Sequence, residues 1–87
     1  MDFEDALCSK TRIKILKVML KLGQLNTTQI TKQVGSNYAC VRKHLEILQQ
    51  EGILEMTPYG SRIRFYRFNS QFQKADALQA LLQIWTK

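Results

Sequence analysis

The chain has 87 residues, the length of one small domain, and 45% of them are hydrophobic. This composition is typical of a globular protein and contains no apolar run long enough to cross a bilayer. Its 13 lysines and arginines outnumber 7 acidic residues, giving a formal net charge of +6. That charge fits a polyanionic partner, although a merely soluble protein also carries it.

Two further features of the composition concern compartment and metal binding. The segment Met1–Asp5 is acidic where a secretory signal would be basic, so we expect no export signal and a cytoplasmic protein. Two cysteines, Cys8 and Cys40, are too few for a disulfide framework and have no histidine at zinc-ligand spacing. The sequence therefore favours two free thiols, with a disulfide as the alternative, and predicts no metal site and no cofactor.

Basic residues are segregated from acidic ones along the chain. No acidic residue lies between Asp5 and Glu46, and a second acid-free interval separates Glu55 from Asp76. These intervals contain Lys10, Arg12, Lys14, Lys17, Lys21, Lys32, Arg42, Lys43, Arg62, Arg64, Arg67 and Lys74. Such segregation is the electrostatic pattern expected of a protein that binds nucleic acid.

The first predicted helix covers residues 9 to 22. Ser9 is a suitable N-cap and Gly23 ends the helix. An apolar stripe at helical spacing consists of Ile13, Ile15, Leu16, Met19, Leu20 and Leu22. Lysines occupy the opposite face, where solvation explains them; contact with a phosphate is the alternative.

A helix-turn-helix pattern follows. Leu25 suits a short extended piece, and Thr27 or Thr28 is expected to cap a second helix that runs through Val34. Gly35 permits the positive φ that ends a helix and begins a sharp turn. The spacing is that of motifs which place a second helix in the major groove of DNA.

The third predicted helix spans residues 37 to 51, after two good capping residues, Ser36 and Asn37. Its buried stripe is predicted to be Tyr38, Val41, Leu45 and Leu48. The opposite face, with Arg42 on its flank, carries Ala39, Lys43, Glu46 and Gln50. His44 borders the buried stripe, where packing or hydrogen bonding is the expected role rather than catalysis or ligation.

The exposed face of this helix has the chemistry of a groove-binding surface. Arg42 and Lys43 can donate to guanine edges or phosphates, and Ala39 can pack on a thymine methyl group. Glu46 can accept from cytosine or orient Arg42. The capped N-terminal turn offers backbone N–H groups to a phosphate. Any surface helix also has a polar outer face, which is the simpler explanation.

A β-hairpin is predicted next. Its parts are a strand over 53–57, a turn over 58–61 and a second strand over 62–68. Ile63 and Phe65 alternate with Arg62 and Arg64, so we expect one apolar face and one cationic face. Arginines near the tip suit a phosphate backbone or a minor groove, although charge on an edge strand also discourages aggregation.

The last predicted helix runs from Gln71 to Trp85, capped by Asn69 or Ser70. Its apolar positions, Phe72, Ala75, Ala77, Leu78, Leu81, Leu82, Ile84 and Trp85, exceed what one side of a small domain needs. We expect dimerisation through Phe72, Leu78, Leu81, Leu82 and Trp85. The alternative is a monomer in which this helix folds onto its own core.

The segment over 40–54, with His-Leu-Glu-Ile-Leu and Glu-Gly-Ile-Leu, and the segment over 60–69, with Phe-Tyr-Arg-Phe, resemble a known family. They are similar to the recognition helix and wing of ArsR-like winged-helix transcription regulators, including minimal archaeal and archaeal-virus forms. The resemblance implies a homodimer on pseudo-palindromic DNA, with positions from Ser36 to Lys43 in the groove and Arg62 or Arg64 on the wing. The paired cysteines of metal-sensing members are missing, so no metal sensing and no small-molecule effector are carried over.

These observations predict an α+β, mostly α, winged helix-turn-helix with a three-helix core, a two-stranded wing and a C-terminal helix. Residues 1–87 form one DNA-binding domain, with core and wing over 9–69 and a dimerisation helix over 70–87. The predicted function is sequence-specific binding of double-stranded DNA by a homodimeric transcription regulator, with 37–51 in the major groove and 58–67 on the backbone or minor groove.

The sequence also bears on three other functions. A protein-interaction module would use the same scaffold without contacting DNA. A nonspecific architectural DNA binder would show no preference for sequence. An enzyme is disfavoured because the chain has one histidine, no glycine-rich phosphate loop and no nucleophile motif.

Overall fold

A computed structural model of the protein describes residues 2–6 and 9–85. In chain order the elements are α1 (Phe3–Ala6), α2 (Lys10–Leu22), β1 (Leu25–Asn26), α3 (Thr27–Val34), α4 (Tyr38–Gln50), β2 (Leu54–Tyr59), β3 (Ile63–Phe68) and α5 (Gln73–Trp85). Helices α2 to α4 form the core, β2 and β3 form the wing, and α5 follows the wing. The predicted fold class is confirmed, with β1 as an additional strand. None of the described helices has the length and apolarity needed to span a membrane.

Helix α2 has the predicted ends but a narrower buried stripe. The Ser9 hydroxyl accepts from the backbone N–H of Arg12 at 3.3 Å. At the other end Gly23 has φ 78°, and its N–H donates to the Met19 carbonyl at 2.9 Å. Ile15, Leu16 and Met19 are fully buried, whereas Leu22 is 45% exposed. Leu22 is the last residue of α2.

The N-cap of α3 is Asn26, so the prediction of Thr27 or Thr28 was wrong. Asn26 Oδ1 accepts from the Gln29 N–H at 2.8 Å, and Gln29 Oε1 accepts from the Asn26 N–H at 2.9 Å. This capping box forms because pairing of β1 holds Asn26 in an extended conformation. Gly35 ends the helix at φ 74° in the left-handed region, as predicted.

Helix α4 packs its predicted stripe into the core, with one exception. Asn37 caps it by accepting from the Cys40 N–H at 2.8 Å. Val41, Leu45 and Leu48 are each 0% exposed. Tyr38, predicted to be buried, is 49% exposed. Tyr38 lies in the first turn of α4, and side chains of a helix lean towards its N-terminus. The Tyr38 ring therefore extends past the end of the core.

The sheet is antiparallel in the order β1-β3-β2, and the hairpin is longer than predicted. Pro58 pairs with Arg64 inside the ladder, so the turn lies at residues 60–62 rather than 58–61. Pro58 is tolerated because β2 is an edge strand, where a missing N–H donor need not break the ladder. Gly60, at φ 69°, supplies the positive φ of the turn.

The two faces of the wing do not divide into one apolar and one cationic face as predicted. Tyr66, 1% exposed, points into the core between its pairing partners Leu25 and Met56. Since side chains alternate along a strand, Arg64 shares the inner face with Tyr66, and Ile63 lies on the outer face, 43% exposed. Arg67 in turn shares the outer face with Ile63 and Phe65, so each face of β3 carries both apolar and basic residues, and the predicted division into one apolar and one cationic face was wrong.

Helix α5 begins two residues later than predicted, after a turn closed by Asn69. Asn69 Oδ1 accepts from the Gln71 N–H at 3.0 Å, and its amide donates to the Gly52 carbonyl at 3.0 Å. Ala75, Leu78 and Leu82 are buried, and Phe72 packs against the same core. One side of α5 thus completes the hydrophobic core of its own subunit.

A buried contact between α2 and α4 involves an arginine that the sequence analysis did not single out. Arg12 is 7% exposed, and its Nε donates to His44 Nδ1 at 3.4 Å. Arg12 also donates to the carbonyl oxygen of Asp5. His44 therefore has the predicted hydrogen-bonding role. Burial, the Arg12 charge and the Lys43 charge together lower the pKa of His44 below its ordinary value of 6.5.

The capping box gives a first prediction. Replacing Asn26 by alanine should lower the free energy of unfolding by about 1 kcal/mol, because the backbone N–H of Gln29 loses the Asn26 side-chain oxygen to which it donates. Thr28→Ala, at the second and exposed position of the same helix, is the control and should change stability by less than about 0.5 kcal/mol. Urea denaturation measures both. Equal losses in the two variants would contradict the assigned cap.

The His44 contact gives a second prediction. A lowered pKa in the folded state means that the unfolded chain binds a proton more readily. Stability from neutral His44 is therefore complete above pH 6.5 and is lost as pH falls through the lowered value. Urea denaturation at a series of pH values from 8 to about 5 should show this loss, and His44→Gln should remove it, since glutamine does not titrate. If His44→Gln kept the wild-type pH dependence of stability, a titratable group other than His44 would be responsible for it.

Candidate nucleic-acid interface

One side of the protein carries a cleft between α3, α4 and the wing. The cleft has a volume of about 480 Å³ and is open to solvent. Thr28 lies at the N-terminal end of α3, and Tyr38 and Arg42 come from the first half of α4. Arg62 and Arg64 line it from the wing. The fold thus brings basic residues that are distant in sequence to one surface.

The predicted face of α4 is directed away from the core. Ala39, Lys43 and Gln50 are exposed, and the Arg42 side chain is 52% exposed. The burial of the opposite stripe dictates this orientation, because residues on the two sides of a helix cannot both reach the core. The surface is free to contact a ligand without any change in the fold.

The two predicted residues that precede α4 are placed differently from one another. Ser36 is half-buried, and the Asn37 side chain is occupied as the helix cap. Asn37 can therefore stabilise the first turn of α4 while the backbone N–H groups of that turn remain at the protein surface. Their positive dipole end suits a phosphate.

Two arginines from different elements meet at Glu46. Arg42 Nε donates to Glu46 Oε1 at 3.1 Å, one helical turn away. Arg64 Nη1, from β3, lies 3.9 Å from the same oxygen. The three side chains are between 41% and 52% exposed. Glu46, for which the sequence left two roles open, orients Arg42 in the free protein.

Tyr66 was not recognised as part of this surface. Its hydroxyl is buried and has no hydrogen-bond partner among the described residues. Burial raises the pKa of the Tyr66 phenol, and the nearby Arg64 guanidinium opposes that shift. Tyr66 is therefore a neutral wall of the cleft. In the sequence, only its place in the strand Arg-Phe-Tyr-Arg-Phe indicated that Tyr66 belongs to the wing. The register of the sheet determines which way its side chain points, and the sequence does not show that register.

The outer face of the wing carries a second ion pair. Arg67 Nε donates to Glu55 Oε2 at 2.8 Å, and the two residues are directly paired across the strands. On the same face Tyr59 and Phe65 form an edge-to-face contact with ring centroids 6.2 Å apart. Arg67 is thus a wing arginine that faces away from α4.

The predicted dimerisation residues fall into two groups. Phe72, Leu78 and Leu82 belong to the core of their own subunit, so they are not available as a free surface. Leu81 is 38% exposed and Trp85 is 82% exposed. Ile84, which was not among the predicted interface residues, is 76% exposed. Because α5 packs on its own domain along one side, only the apolar residues on its other side are exposed and available to a partner.

Cys40 belongs to no potential metal site in the part of the chain that is described. Cys40 is a half-buried free thiol on α4, and Cys8 lies outside the described residues. Within residues 2–6 and 9–85 no group of three histidine, cysteine, aspartate or glutamate side chains is arranged to hold a metal ion.

Solved structures with the same fold come from several bacteria. HlyU from Vibrio cholerae superimposes with a TM-score of 0.79 at 19% identity, over 95% of this chain and 87% of that chain. A possible transcriptional regulatory protein (fragment 1–100) from Mycobacterium bovis gives 0.73 at 26% identity, over 93% and 83%. The homodimeric winged helix-turn-helix DNA-binding domain Mb0332 from Mycobacterium bovis, a possible ArsR-family transcriptional regulator, gives 0.75 at 24% identity, over 94% and 72%.

Sequence comparison identifies the family directly. No curated protein is similar enough to count as a match. The family model described as "Bacterial regulatory protein, arsR family" matches residues 9–56, which is more than half of the chain and covers α2 to α4 and the start of the wing. This family consists of DNA-binding transcription regulators and not of enzymes. The chain belongs to the arsR family of winged-helix regulatory proteins.

Proposed function

We propose that this protein regulates transcription by binding a specific double-stranded DNA sequence as a homodimer. Helix α4 enters the major groove, and the wing over 58–67 contacts the backbone or the minor groove. The observation that carries the proposal is that the exposed face of α4 and the arginines of the wing lie on one side of the fold. Family membership supports the same function.

The dimensions and chemistry of α4 suit a major groove. Its 13 residues extend about 20 Å, and the groove is about 12 Å wide. Lys43 and Arg42 can donate to guanine or to phosphate, and Ala39 permits close approach to a thymine methyl group. Gln50, at the far end, can donate and accept on an adenine edge or reach a phosphate. The face contains both donors and an apolar position, as base recognition requires.

The cleft and wing provide contacts that do not depend on sequence. Arg62 lies in the turn at the wing tip and is exposed, so it can contact a neighbouring phosphate or enter a narrow minor groove. Thr28 and the N-terminal end of α3 border the same cleft. Phosphate contacts of this kind fix the register of the protein on the duplex.

The exposed part of α5 is the proposed dimer surface. Leu81, Ile84 and Trp85 form an apolar edge on a helix whose other side is already buried. Exposure of such an edge to water is unfavourable, and pairing with a second copy removes it. The similar Mb0332 domain is homodimeric. A two-fold dimer would match pseudo-palindromic half-sites about 34 Å apart, one helical turn.

The proposed organisation assigns the whole chain to one DNA-binding unit. Core and wing occupy residues 9–69, and residues 70–87 supply the dimerisation helix. Support comes from the single hydrophobic cluster that joins α5 to the helices of the core.

Binding to duplex DNA tests the function and the role of each surface. The affinity should fall steeply with salt, because phosphate contacts release counterions. Lys43→Ala and Arg42→Ala should reduce the preference for a sequence selected from a random pool. Arg62→Ala should weaken all duplexes alike and reduce the salt slope by about 1.

Lys17→Ala is the matched control for these variants. Lys17 lies in a separate groove towards α5 and should leave both affinity and preference unchanged. A salt-independent affinity would reject DNA binding. Equal affinity for selected and random duplexes would indicate a nonspecific architectural DNA-binding protein instead of a sequence-specific regulator.

The oligomeric state tests the α5 surface. Ile84→Glu places a charge on the proposed interface and should convert a dimer into a monomer in sedimentation equilibrium, because an unpaired charge cannot be buried there cheaply. Gln83→Glu introduces the same charge on the neighbouring exposed position and is the control. If the wild-type protein sediments as a monomer, or if the two variants dimerise equally well, the proposed interface is wrong.

A further inference from the structure

We propose that Glu46 determines how strongly the protein discriminates between its own site and random DNA. In the free protein its carboxylate holds Arg42 and Arg64, and it must release them before both can pair with phosphates. Glu46 is thus a specificity-determining residue that opposes nonspecific binding. The inference rests on the proposed DNA-binding function and adds a role for one residue within it.

The geometry places one carboxylate oxygen between a base-reading element and a backbone-binding element. Arg42 Nε is 3.1 Å from Glu46 Oε1, and Arg64 Nη1 is 3.9 Å from the same atom. Arg42 and Glu46 lie on α4, and Arg64 lies on β3. Both arginines also line the cleft. A single negative charge therefore reduces the positive potential at the place where the two elements meet.

The inward direction of Arg64 is built into the sheet. Tyr66 anchors β3 in the core with 1% exposure, and alternation along the strand then directs Arg64 to the same side, towards α4. The face of β3 on which Arg64 lies is thus a consequence of how the wing is attached.

The ion pairs of Glu46 can be replaced by contacts between the two arginines and DNA phosphates while the protein remains folded. The three side chains are 41% to 52% exposed, and ion pairs of this kind contribute little to folding. An approaching phosphate competes with Glu46 for the guanidinium groups and is repelled by its carboxylate. Glu46 is also the only acidic residue of α4, so no other acid on this helix can have the same effect.

The resulting cost differs between specific and random duplexes. Binding to random DNA depends almost entirely on phosphate contacts, so the competition with Glu46 reduces it fully. At the specific site Arg42 can donate to a guanine edge through its Nη groups while its Nε remains on Glu46, so binding there does not require Glu46 to release it. Discrimination of this type uses a repulsive element against the wrong partner as well as attraction to the correct one.

Glu46→Gln tests the inference, with Glu55→Gln as the matched control. Glu55 pairs with Arg67 at 2.8 Å on the outer face of the wing. Each substitution removes one negative charge and releases arginine, so the change in net charge is the same. Only Glu46→Gln acts where α4 meets the wing. Urea denaturation should show near-wild-type stability for both.

The measurement is affinity for a selected duplex and for a random duplex over a range of salt concentrations. Glu46→Gln should bind the random duplex about five-fold more tightly than Glu55→Gln, the ratio expected for removal of one unit charge about 4 Å from another in water. Affinity for the selected duplex should change by less than about two-fold, and the salt slope should steepen by about 1. The ratio of selected to random affinity therefore falls.

NMR spectroscopy detects the contacts of Glu46 with Arg42 and Arg64 in the absence of DNA. The Nε–Hε signal of Arg42 and the Nη–H signals of Arg64 should shift in Glu46→Gln and stay unchanged in Glu55→Gln, where the Nε–Hε signal of Arg67 should shift instead. Unchanged Arg42 and Arg64 signals in Glu46→Gln would overturn the inference independently of any binding result.

Two binding results would also overturn it. Identical behaviour of the two variants would make Glu46 an ordinary surface ion pair. A loss of affinity for the selected duplex, with altered preference at one base pair, would make Glu46 a direct reader of cytosine. If the wild-type protein itself binds no duplex, the proposed function fails, and that failure is distinct from either result.

Discussion

The burial of one side of α4 is the constraint on which the remaining structure depends. Val41, Leu45 and Leu48 are completely removed from solvent, and each large apolar side chain contributes roughly 1.5 to 3 kcal/mol by leaving water. Once this stripe is fixed, the helix cannot rotate, and the opposite face with Lys43 must be directed outwards. The surface proposed to meet DNA is therefore positioned by apolar packing and not by its own polar interactions.

The same principle positions the wing. Tyr66 is held between β1 and β2 in the core, and the alternation of side chains then directs Arg64 towards α4. Hydrophobic anchoring of one residue thus brings a cationic side chain two positions away to the junction of helix and wing. There Glu46 links Arg64 with Arg42, so that the two elements proposed to contact DNA share one electrostatic contact.

The parts of the fold that depend on local pattern could be predicted from the sequence. The buried spacing in α4 and the glycine turn at Gly35 are examples, since both follow from the helical period and backbone conformation. Three features could not be predicted because long-range pairing decides them. Pairing of β1 with β3 makes Asn26 the cap, the sheet register sets the direction of Arg64, and the packing of α5 divides its apolar residues between core and surface.

The most direct test of this account is the change in backbone amide NMR shifts when a selected DNA duplex is added to the full chain. The account predicts that the largest changes occur at the start of α3, on the exposed face of α4 near Ala39 and Lys43, and in the wing around Arg62. Amides of α5 near Ile84 should change far less. Changes concentrated in α5, with α4 and the wing unaffected, would contradict the account.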